Sequence, residues 1–351
     1  MKQNCPDKLS NLTQLAFSTS VAPLDRVQAA TKTTSKSAMK SHLGMLLWAL
    51  IVGSSFPAVG IMSEGLPPLL LTAIRFAIAA MAILPLVWGK SDRWPSLPGL
   101  ALYAFMGLSL AGFFGTMFWA AHQTSALSMA TLYVSVPLLA YFLGRALGVE
   151  RRASQLLGIL VLGAAGALAL AWSEAGGQSS ALQFGLAEAA FFVGCVASAL
   201  YPVLSKWGLN HGWLSPAAEL RTFWSLLTGC VLVGLLGLIR EDPQLLTPLT
   251  LTDGLLLLYL GVFSSGMTFW LTQRATAVLT PAAVTAYSYL VPFVSMLLLF
   301  IEQPQRIDWH WLPGSLLVVL AIALLLKQDA ARRRPDQDSQ PHLRQQACNA
   351  C

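Results

Sequence analysis

Residues 43–62 read LGMLLWALIVGSSFPAVGIM, and residues 183–205 read QFGLAEAAFFVGCVASALYPVLS. Each segment has the length and apolar composition of an α-helix that crosses a lipid bilayer, which needs about 20 residues. Each also carries one proline directly after an aromatic residue, Pro57 in the first segment and Pro202 in the second. The two segments therefore look like two copies of one membrane-spanning unit.

The composition of the whole chain is that of a membrane protein. Hydrophobic residues make up 55% of the 351 residues and charged residues only 11%, against about 25% charged residues in soluble domains. The mean hydropathy is +0.61. Since a soluble protein of this size needs more charge to cover its surface, a soluble enzyme, a disordered chain and a nucleic-acid-binding protein are all disfavoured.

Apolar segments of spanning length alternate with short polar breaks from residue 43 onward. This pattern predicts an all-α polytopic membrane protein with ten transmembrane helices. The polar tails, residues 1–42 and 328–351, are expected to be disordered. The ten predicted helices cover residues 43–62, 67–88, 98–121, 125–144, 154–173, 183–205, 214–239, 253–273, 278–301 and 310–327.

The distribution of lysine and arginine predicts the orientation. If the N-terminus is cytoplasmic, the inner loops hold seven basic residues and the outer loops only two, as expected from the positive-inside rule. We therefore expect a multi-pass protein of the plasma membrane (the inner membrane of a bacterial cell) with both termini cytoplasmic. The net charge of +6 then reflects topology and not a nucleic-acid partner. The inner basic residues are Lys90, Arg93, Arg145, Arg151, Arg152, Lys206 and Arg274, and the outer ones are Arg240 and Arg306.

Four features recur in the same order in both halves of the chain, at offsets of 145 to 155 positions. The repeat unit is five helices, residues 43–173 and 183–327. Because five is odd, the second unit must enter the membrane from the opposite face, which predicts two inverted five-helix repeats. The matching features are Phe56-Pro57 and Tyr201-Pro202, Arg75 and Arg221, Phe118-Trp119 and Phe269-Trp270, and Pro137 and Pro292.

On these residues the chain resembles the drug/metabolite transporter superfamily, in its ten-helix branch with two EamA-like domains, over roughly residues 43–327. The resemblance implies a secondary transporter that works by alternating access, as an exporter rather than an importer. Its substrate would be a small organic metabolite, such as an amino acid or its derivative, or a toxic compound. Further matching residues are Trp48, Phe76, Thr124-Ser125-Ala126, Glu150-Arg151, Gly158, Pro281-Ala282-Ala283, Glu302 and Gly314.

Two other functions fit the sequence less well than transport of a small organic metabolite. A nucleotide-sugar or sugar-phosphate antiporter would need more basic residues facing the cavity than Arg75 and Arg221. An integral membrane enzyme would need clustered polar residues at one membrane face, and the sequence contains no P-loop, no H-E-x-x-H and no G-x-S-x-G motif.

The sequence also gives no sign of a cofactor or a metal site. The five cysteines form no disulfide or metal pattern. We therefore expect no enzymatic activity, no cofactor and no metal. The expected partners are a small-molecule substrate, the lipid bilayer and, in a homodimer, a second copy of the chain.

The predicted substrate cavity lies between the two halves, with Pro57 and Pro202 on opposing walls. Proline removes a backbone donor and disturbs its helix, and interrupted helices expose backbone polar groups to substrate in inverted-repeat carriers. The alternative is a packing kink that Ser54, Ser55 or Ser198 repairs. The predicted lining residues are Trp48, Ser55, Phe56, Pro57, Tyr201, Pro202 and Tyr287.

Three charged residues inside the predicted helices are candidates for a charge or proton role. Arg75 and Arg221 each cost about 3 kcal/mol or more at a helix centre. They could form an anion-binding pair, but the resembling family carries arginine there across many substrates, which favours a structural role. Glu188 is flanked by apolar or small residues and could relay protons. If the sixth helix begins later than predicted, Glu188 is instead a first-turn acid favoured by the helix dipole.

Overall fold

The computed structural model describes residues 24–90, 92–174, 185–302, 304–306 and 309–332. Within these ranges ten segments are long and apolar enough to cross a membrane, which confirms the predicted number. We number them spans 1 to 10 in chain order. Their bounds are Ser37–Ile61, Pro68–Trp88, Leu97–Ala121, Leu127–Ala146, Ser154–Ser173, Leu186–Asn210, Ala218–Arg240, Leu251–Val278, Pro281–Ile301 and Trp309–Ala331.

Several helices begin at residues that suit a helix start. Proline, which has no backbone N–H to satisfy, opens spans 2 and 9 at Pro68 and Pro281. The side chains of Ser96 and Thr250 cap spans 3 and 8. The α-helices run over Leu24–Ile61, Pro68–Trp88, Leu97–Ala121, Ala126–Tyr133, Val136–Ala146, Ser154–Glu174, Leu186–Asn210, Ala218–Arg240, Leu251–Tyr259, Thr268–Val278, Pro281–Thr285, Leu290–Glu302 and Leu312–Arg332.

The first helix is longer than predicted. It begins at Leu24 rather than at residue 43, so the last part of the predicted N-terminal tail continues the helix of span 1. Residues 24–42 contain neither glycine nor proline, the two residues that disfavour helix most, and Ser41 and His42 are buried. The first residues of this tail and most of the predicted C-terminal tail lie outside the described part of the chain.

Spans 4 and 9 are interrupted at matching points. Span 4 breaks between the helices Ala126–Tyr133 and Val136–Ala146, and span 9 passes through a 3-10 turn at Ala286–Tyr289. A proline follows each break, Pro137 in span 4 and Pro292 in span 9. Proline disfavours helical backbone at the preceding residue and cannot donate to the carbonyl four residues earlier, so both interruptions have the same local cause.

Span 8 contains a wide turn in its middle. Its backbone is an α-helix over Leu251–Tyr259, a π-helix over Leu260–Met267 and an α-helix again over Thr268–Val278. We call the middle part the π segment. It packs mainly against span 2 and also against span 1. Turns of π-helix are rare in proteins, and those that occur are often found at functional sites.

The packing of the spans follows a two-fold pattern. Spans 2 and 7 pack against each other, as do spans 5 and 10, so each half contributes the same helix to a shared interface. Span 3 packs against spans 6 and 7, and its counterpart, span 8, packs against spans 1 and 2. Exchanging the two halves therefore reproduces the contacts, as expected for the predicted inverted repeats.

Glycines bring spans 5 and 10 into backbone contact. A Cβ added at Gly166 would lie 2.8 Å from the backbone nitrogen of Val318, and one added at Gly314 would lie 2.9 Å from the carbonyl oxygen of Gly166. Any larger side chain at either position would therefore overlap with the facing helix. Small residues at such crossings allow transmembrane helices to approach closely.

Replacing Gly166 with leucine is expected to destabilise the protein. The new side chain would meet Leu317 and Val318 of span 10, and overpacking of this kind costs roughly 1–3 kcal/mol. Gly158→Leu is the matched control, because Gly158 lies on the same helix and nothing lies within 4 Å of a Cβ added there. We expect a lower thermal unfolding midpoint in detergent for Gly166→Leu alone. Equal losses in both variants would contradict the tight contact.

Candidate functional site

Two of the predicted lining residues, Tyr201 and Tyr287, lie in different hydrophobic clusters. One cluster contains Tyr287 with parts of spans 1, 4, 5, 9 and 10, and the other contains Tyr201 with parts of spans 2, 3 and 7. Both tyrosines are buried, with 0% and 3% of their surface exposed. The structure therefore places Tyr201 and Tyr287 in separate packed cores and does not bring them together.

Tyr287 is linked in series to two other polar side chains, those of His42 and Asp329. Its hydroxyl lies 2.7 Å from Nδ1 of His42, and Nε2 of His42 lies 3.1 Å from Oδ2 of Asp329. Since these residues come from spans 9, 1 and 10, the chain of contacts ties three helices together near the predicted cytoplasmic face. Sequence reasoning missed this cluster because His42 and Asp329 fall in the predicted tails.

Tyr201 of span 6 connects to spans 7 and 8. Its hydroxyl lies 2.8 Å from Oγ of Ser225, and its ring packs edge-on against Phe269 with the centroids 5.5 Å apart. Pro202 is buried beside it, and span 6 remains helical through this proline. Both residues therefore pack against neighbouring helices in this conformation, and their contact with substrate stays a prediction.

Pro57 leaves the carbonyl of Gly53 without a helical donor, and span 9 supplies one. Oγ of Ser295 donates to the carbonyl oxygen of Gly53 at 3.3 Å. Ser54 and Ser55 donate to other carbonyls of span 1. The alternative of repair by a serine of the same helix is therefore not what the structure shows at Pro57, because the hydroxyl that reaches the freed carbonyl comes from Ser295 of span 9.

The remaining predicted residues of span 1 are partly buried. Trp48 packs against the cluster that contains Tyr287, and Ser55 is half-buried. The side chain of Phe56 lies outside what the structure describes. Oγ of Ser54 lies 3.0 Å from the hydroxyl of Tyr259, so span 1 contacts span 8 directly before the π segment.

Arg221 is buried, 0% exposed, and each of its three guanidinium nitrogens donates a hydrogen bond. It lies in the first turn of span 7, which begins at Ala218, and so is closer to a helix end than predicted. Its Nε and Nη2 donate to the side-chain and backbone oxygens of Gln273 at 3.0 and 2.6 Å, and its Nη1 donates to the carbonyl oxygen of Ser215 at 2.6 Å. These bonds join spans 7 and 8, which is a structural role.

Arg75, the counterpart of Arg221 in the first repeat, retains free donors. Its Nη2 donates to Oγ of Ser264 at 3.4 Å and to Oγ of Ser265 at 3.3 Å, both long for hydrogen bonds. Its Nε is buried without a hydrogen-bond partner, and no ion pair with Arg75 occurs among the residues described above. We call Arg75, Ser264 and Ser265 the Arg75 cluster. The two arginines contact different residues of span 8.

Glu188 lies in the first turn of span 6, which begins at Leu186. Its carboxylate accepts from the backbone N–H of Gly185 at 2.8 Å and from the hydroxyl of Thr124. It therefore caps the helix and ties span 6 to the turn between spans 3 and 4. This is the position expected if the sixth helix begins later than predicted, and it favours a capping role. A proton relay through Glu188 stays a prediction.

Two further carboxylates connect elements at the same face, the predicted outer one. Asp253 of span 8 accepts from the backbone N–H and the hydroxyl of Ser63 at 2.9 and 2.8 Å. Glu241, after span 7, accepts from the N–H groups of Leu69 and Leu70 at the start of span 2, at 2.8 and 2.9 Å. Hydrogen bonds to carboxylates thus tie together the helix ends at this face.

Two grooves open at the opposite face, which is the predicted cytoplasmic one. The first, of about 320 Å³, lies between the turns that follow spans 2 and 6. The second, of about 340 Å³, lies beside the start of span 7 and the end of span 8. An ion pair between Lys90 and Glu219 borders the second groove. Large aromatic residues line the first groove: Trp94, Tyr103, Trp213 and Trp224.

A sequence profile of the EamA-like transporter family matches the chain twice, over residues 39–172 and 185–327. Together the two matches cover most of the chain, with one match on each repeat. The chain belongs to the EamA-like transporter family. The membrane-transporter class implied by the sequence motifs is thereby confirmed.

This EamA-like transporter is 28% identical over 282 residues to the uncharacterized inner membrane transporter YedA of Escherichia coli strain K12. The alignment covers 78% of this chain and 88% of YedA. Proteins of the same name from Escherichia coli O6:H1 and O157:H7 match to the same extent. The fold is also similar to that of a solved crystal structure, with a TM-score of 0.68 at 20% identity over 86% of this chain and 99% of that chain.

Several polar residues that organise the interior of this EamA-like transporter were not singled out from the sequence. They share polarity within an otherwise apolar helix, which is the one signal that points to them. That signal identifies a polar residue without naming its partner, because the partner comes from a distant helix. These residues are Ser225, Ser264, Ser265, Gln273 and Ser295.

Proposed function

We propose that this chain is a secondary transporter that exports a small organic metabolite, such as an amino acid or its derivative, or a toxic compound, by alternating access. The inverted repeat carries the proposal, because two halves related by exchange can expose one site to either face in turn. The proposal includes a bacterial inner-membrane location with both termini cytoplasmic. The relative YedA is described as an inner membrane transporter.

The exporting direction rests on the family resemblance. Grooves open at the predicted cytoplasmic face, whereas carboxylates at the predicted outer face hold helix ends together. An exporter would load its solute from the cytoplasm in this conformation. Opening to the outside would then require contacts such as the one between Asp253 and Ser63 to break.

A nucleotide-sugar or sugar-phosphate antiporter is less well supported. The phosphate groups of these solutes carry about two negative charges near neutral pH. Arg221 has its donors engaged by Gln273 and Ser215, which leaves Arg75 as the single member of the predicted basic pair with free donors. One fixed positive charge matches such a solute poorly.

Metabolite profiling of cells with and without the gene tests the proposed function. The transported compound should accumulate several-fold in cells that lack the gene, because the exporter is missing. The purified full-length protein, reconstituted in proteoliposomes, should then move this compound without ATP. Liposomes without protein control for leakage. A requirement for ATP, or unchanged metabolite levels together with no movement into proteoliposomes, would contradict the proposal.

A further inference from the structure

We propose that the Arg75 cluster binds a carboxylate group of the transported solute. This inference rests on the proposed function, because it names the substrate class of the same transport pathway. It assigns the binding residue, Arg75, and the chemistry that it recognises, a single negative charge on a planar pair of oxygen atoms. Four observations lead to it: the depth of Arg75, its free donors, its contrast with Arg221, and the π segment that it faces.

The depth of Arg75 in its helix makes an unneutralised charge costly. It is the eighth residue of the helix that begins at Pro68, so it lies about 10 Å below the helix start at 1.5 Å per residue. A cationic side chain near a transmembrane helix centre costs about 3 kcal/mol or more and normally has a partner. In the part of the chain that the structure describes, no acidic side chain forms an ion pair with Arg75.

The donors of Arg75 are largely unused. A guanidinium carries five N–H donors. Among the described residues only Nη2 of Arg75 makes hydrogen bonds, both of them long and both to serine hydroxyls. Nε is buried and has no acceptor. A buried donor without an acceptor costs about 1–3 kcal/mol. A carboxylate can accept two parallel hydrogen bonds from one guanidinium, so it would satisfy Nε and one Nη together.

Arg221, in the corresponding helix of the second repeat, shows the contacts of an arginine with a structural role. Arg221 directs all three of its nitrogens at protein oxygens, two from Gln273 and one from Ser215. Among the described residues, Arg75 donates only to the hydroxyls of Ser264 and Ser265, which span 8 of the second repeat supplies. If both copies were needed only for packing, similar saturation would be expected in both. The difference points to an acceptor that arrives with the solute.

The π segment brings the two serines to Arg75 and links them to span 1 near Pro57. A Cβ added at Gly261 would lie 3.3 Å from the carbonyl oxygen of Arg75, so spans 2 and 8 are in close contact here. Tyr259, directly before the π segment, meets Ser54 at 3.0 Å, one turn before Pro57. The cluster therefore lies where spans 1, 2 and 8 meet. A solute bound there would contact spans 1 and 2 of the first repeat and span 8 of the second.

The charge of the cluster selects a carboxylate over a phosphate. Arg75 supplies one positive charge, and among the described residues no other cationic side chain donates to Ser264 or Ser265. A monocarboxylate would leave the cluster neutral. A phosphate monoester, which carries close to two negative charges at pH 7, would leave a net negative charge inside the membrane, where unpaired charge is costly.

Thermal unfolding of the purified full-length protein in detergent tests this assignment. The probes are sodium acetate, acetamide and inorganic phosphate at constant ionic strength. A ligand that binds only the native state raises the unfolding midpoint in a saturable way. We expect such a rise with acetate and none with acetamide or phosphate. In Arg75→Gln the apparent Kd for acetate should weaken at least tenfold, and Arg75→Lys should lie between, because lysine offers a point charge without the planar fork.

Arg145→Gln is the matched control, because it makes the same change of charge at an exposed position of span 4 and should respond to acetate like the unmodified protein. No saturable rise with acetate, an equal rise with acetamide, a stronger response to phosphate, or an unchanged response in Arg75→Gln would each overturn the proposal. If Arg75→Gln does not fold, the three probes on the unmodified protein still decide. Transport is measured separately, so a retained acetate response without transport would refute the proposed function alone.

Discussion

Replacing Arg221 with alanine is expected to remove most of the folded protein from the membrane. The guanidinium is fully buried and holds spans 7 and 8 together through Gln273 and Ser215. Hydrogen bonds to charged groups contribute about 1.5–3 kcal/mol each, so losing the three bonds of this guanidinium removes a large share of the roughly 5–15 kcal/mol that stabilises a typical protein. The measurement is the yield of monodisperse protein in detergent and its thermal unfolding midpoint.

Arg75→Ala is the matched control for Arg221→Ala, because both remove an arginine from corresponding helices. Arg75 loses only two long hydrogen bonds to hydroxyls, so its loss should leave most of the stability intact. Arg221→Lys should be intermediate, since one ammonium group cannot reproduce the planar fork of a guanidinium. Equal destabilisation by the two alanine variants would show that the structural distinction between the arginines is wrong.

Replacing Asp253 with alanine is expected to destabilise the predicted outer face. The carboxylate is 1% exposed and accepts four hydrogen bonds, from the backbone N–H and hydroxyl groups of Ser63 and Thr250. Hydrogen bonds to charged groups contribute about 1.5–3 kcal/mol each, so a loss of roughly 3 kcal/mol or more is expected. A lower unfolding midpoint and faster proteolysis in the turn over residues 62–67 would report the loss.

Asp242→Ala provides the comparison on the same side of the protein. Asp242 is exposed and accepts from the backbone N–H of Gln244. Changes at such surface positions usually stay within about 0.5 kcal/mol. If the variants at Asp242 and Asp253 unfold at the same temperature, the contact between span 8 and Ser63 does not stabilise the fold.

The spans were predictable because their determinants are local. Span 2 is predicted over residues 67–88 and observed over Pro68–Trp88, and span 5 is predicted over 154–173 and observed over Ser154–Ser173. Inside a bilayer every backbone polar group must be satisfied within the chain, so an apolar run of sufficient length has little choice but a helix. The start of span 1 escaped prediction because Leu24–His42 is polar enough to resemble a tail.

The interior of the bundle was predictable only in part. Tyr201 and Tyr287 are predicted to line the same cavity, yet each lies in its own packed cluster. The reason is that a helix surface carries many aromatic residues, and which of them faces a cavity depends on the rotation of each helix against its neighbours. His42 shows the same limit, since its partners Tyr287 and Asp329 are about 245 and 287 positions away.

The order of amino acids alone is enough to establish a ten-helix membrane protein with an inverted repeat. Hydropathy, the spacing of prolines and the placement of basic residues are all properties of short segments, and the bilayer converts them directly into helices and orientation. The roles of Arg75 and Arg221 could not be separated in this way. Each is one arginine in the corresponding helix of its repeat. Arg221 meets the side-chain and backbone oxygens of Gln273 in span 8, whereas Arg75 meets only the hydroxyls of Ser264 and Ser265 among the described residues. Hydrogen bonds between helices depend on how the helices dock, and that is a property of the assembled bundle.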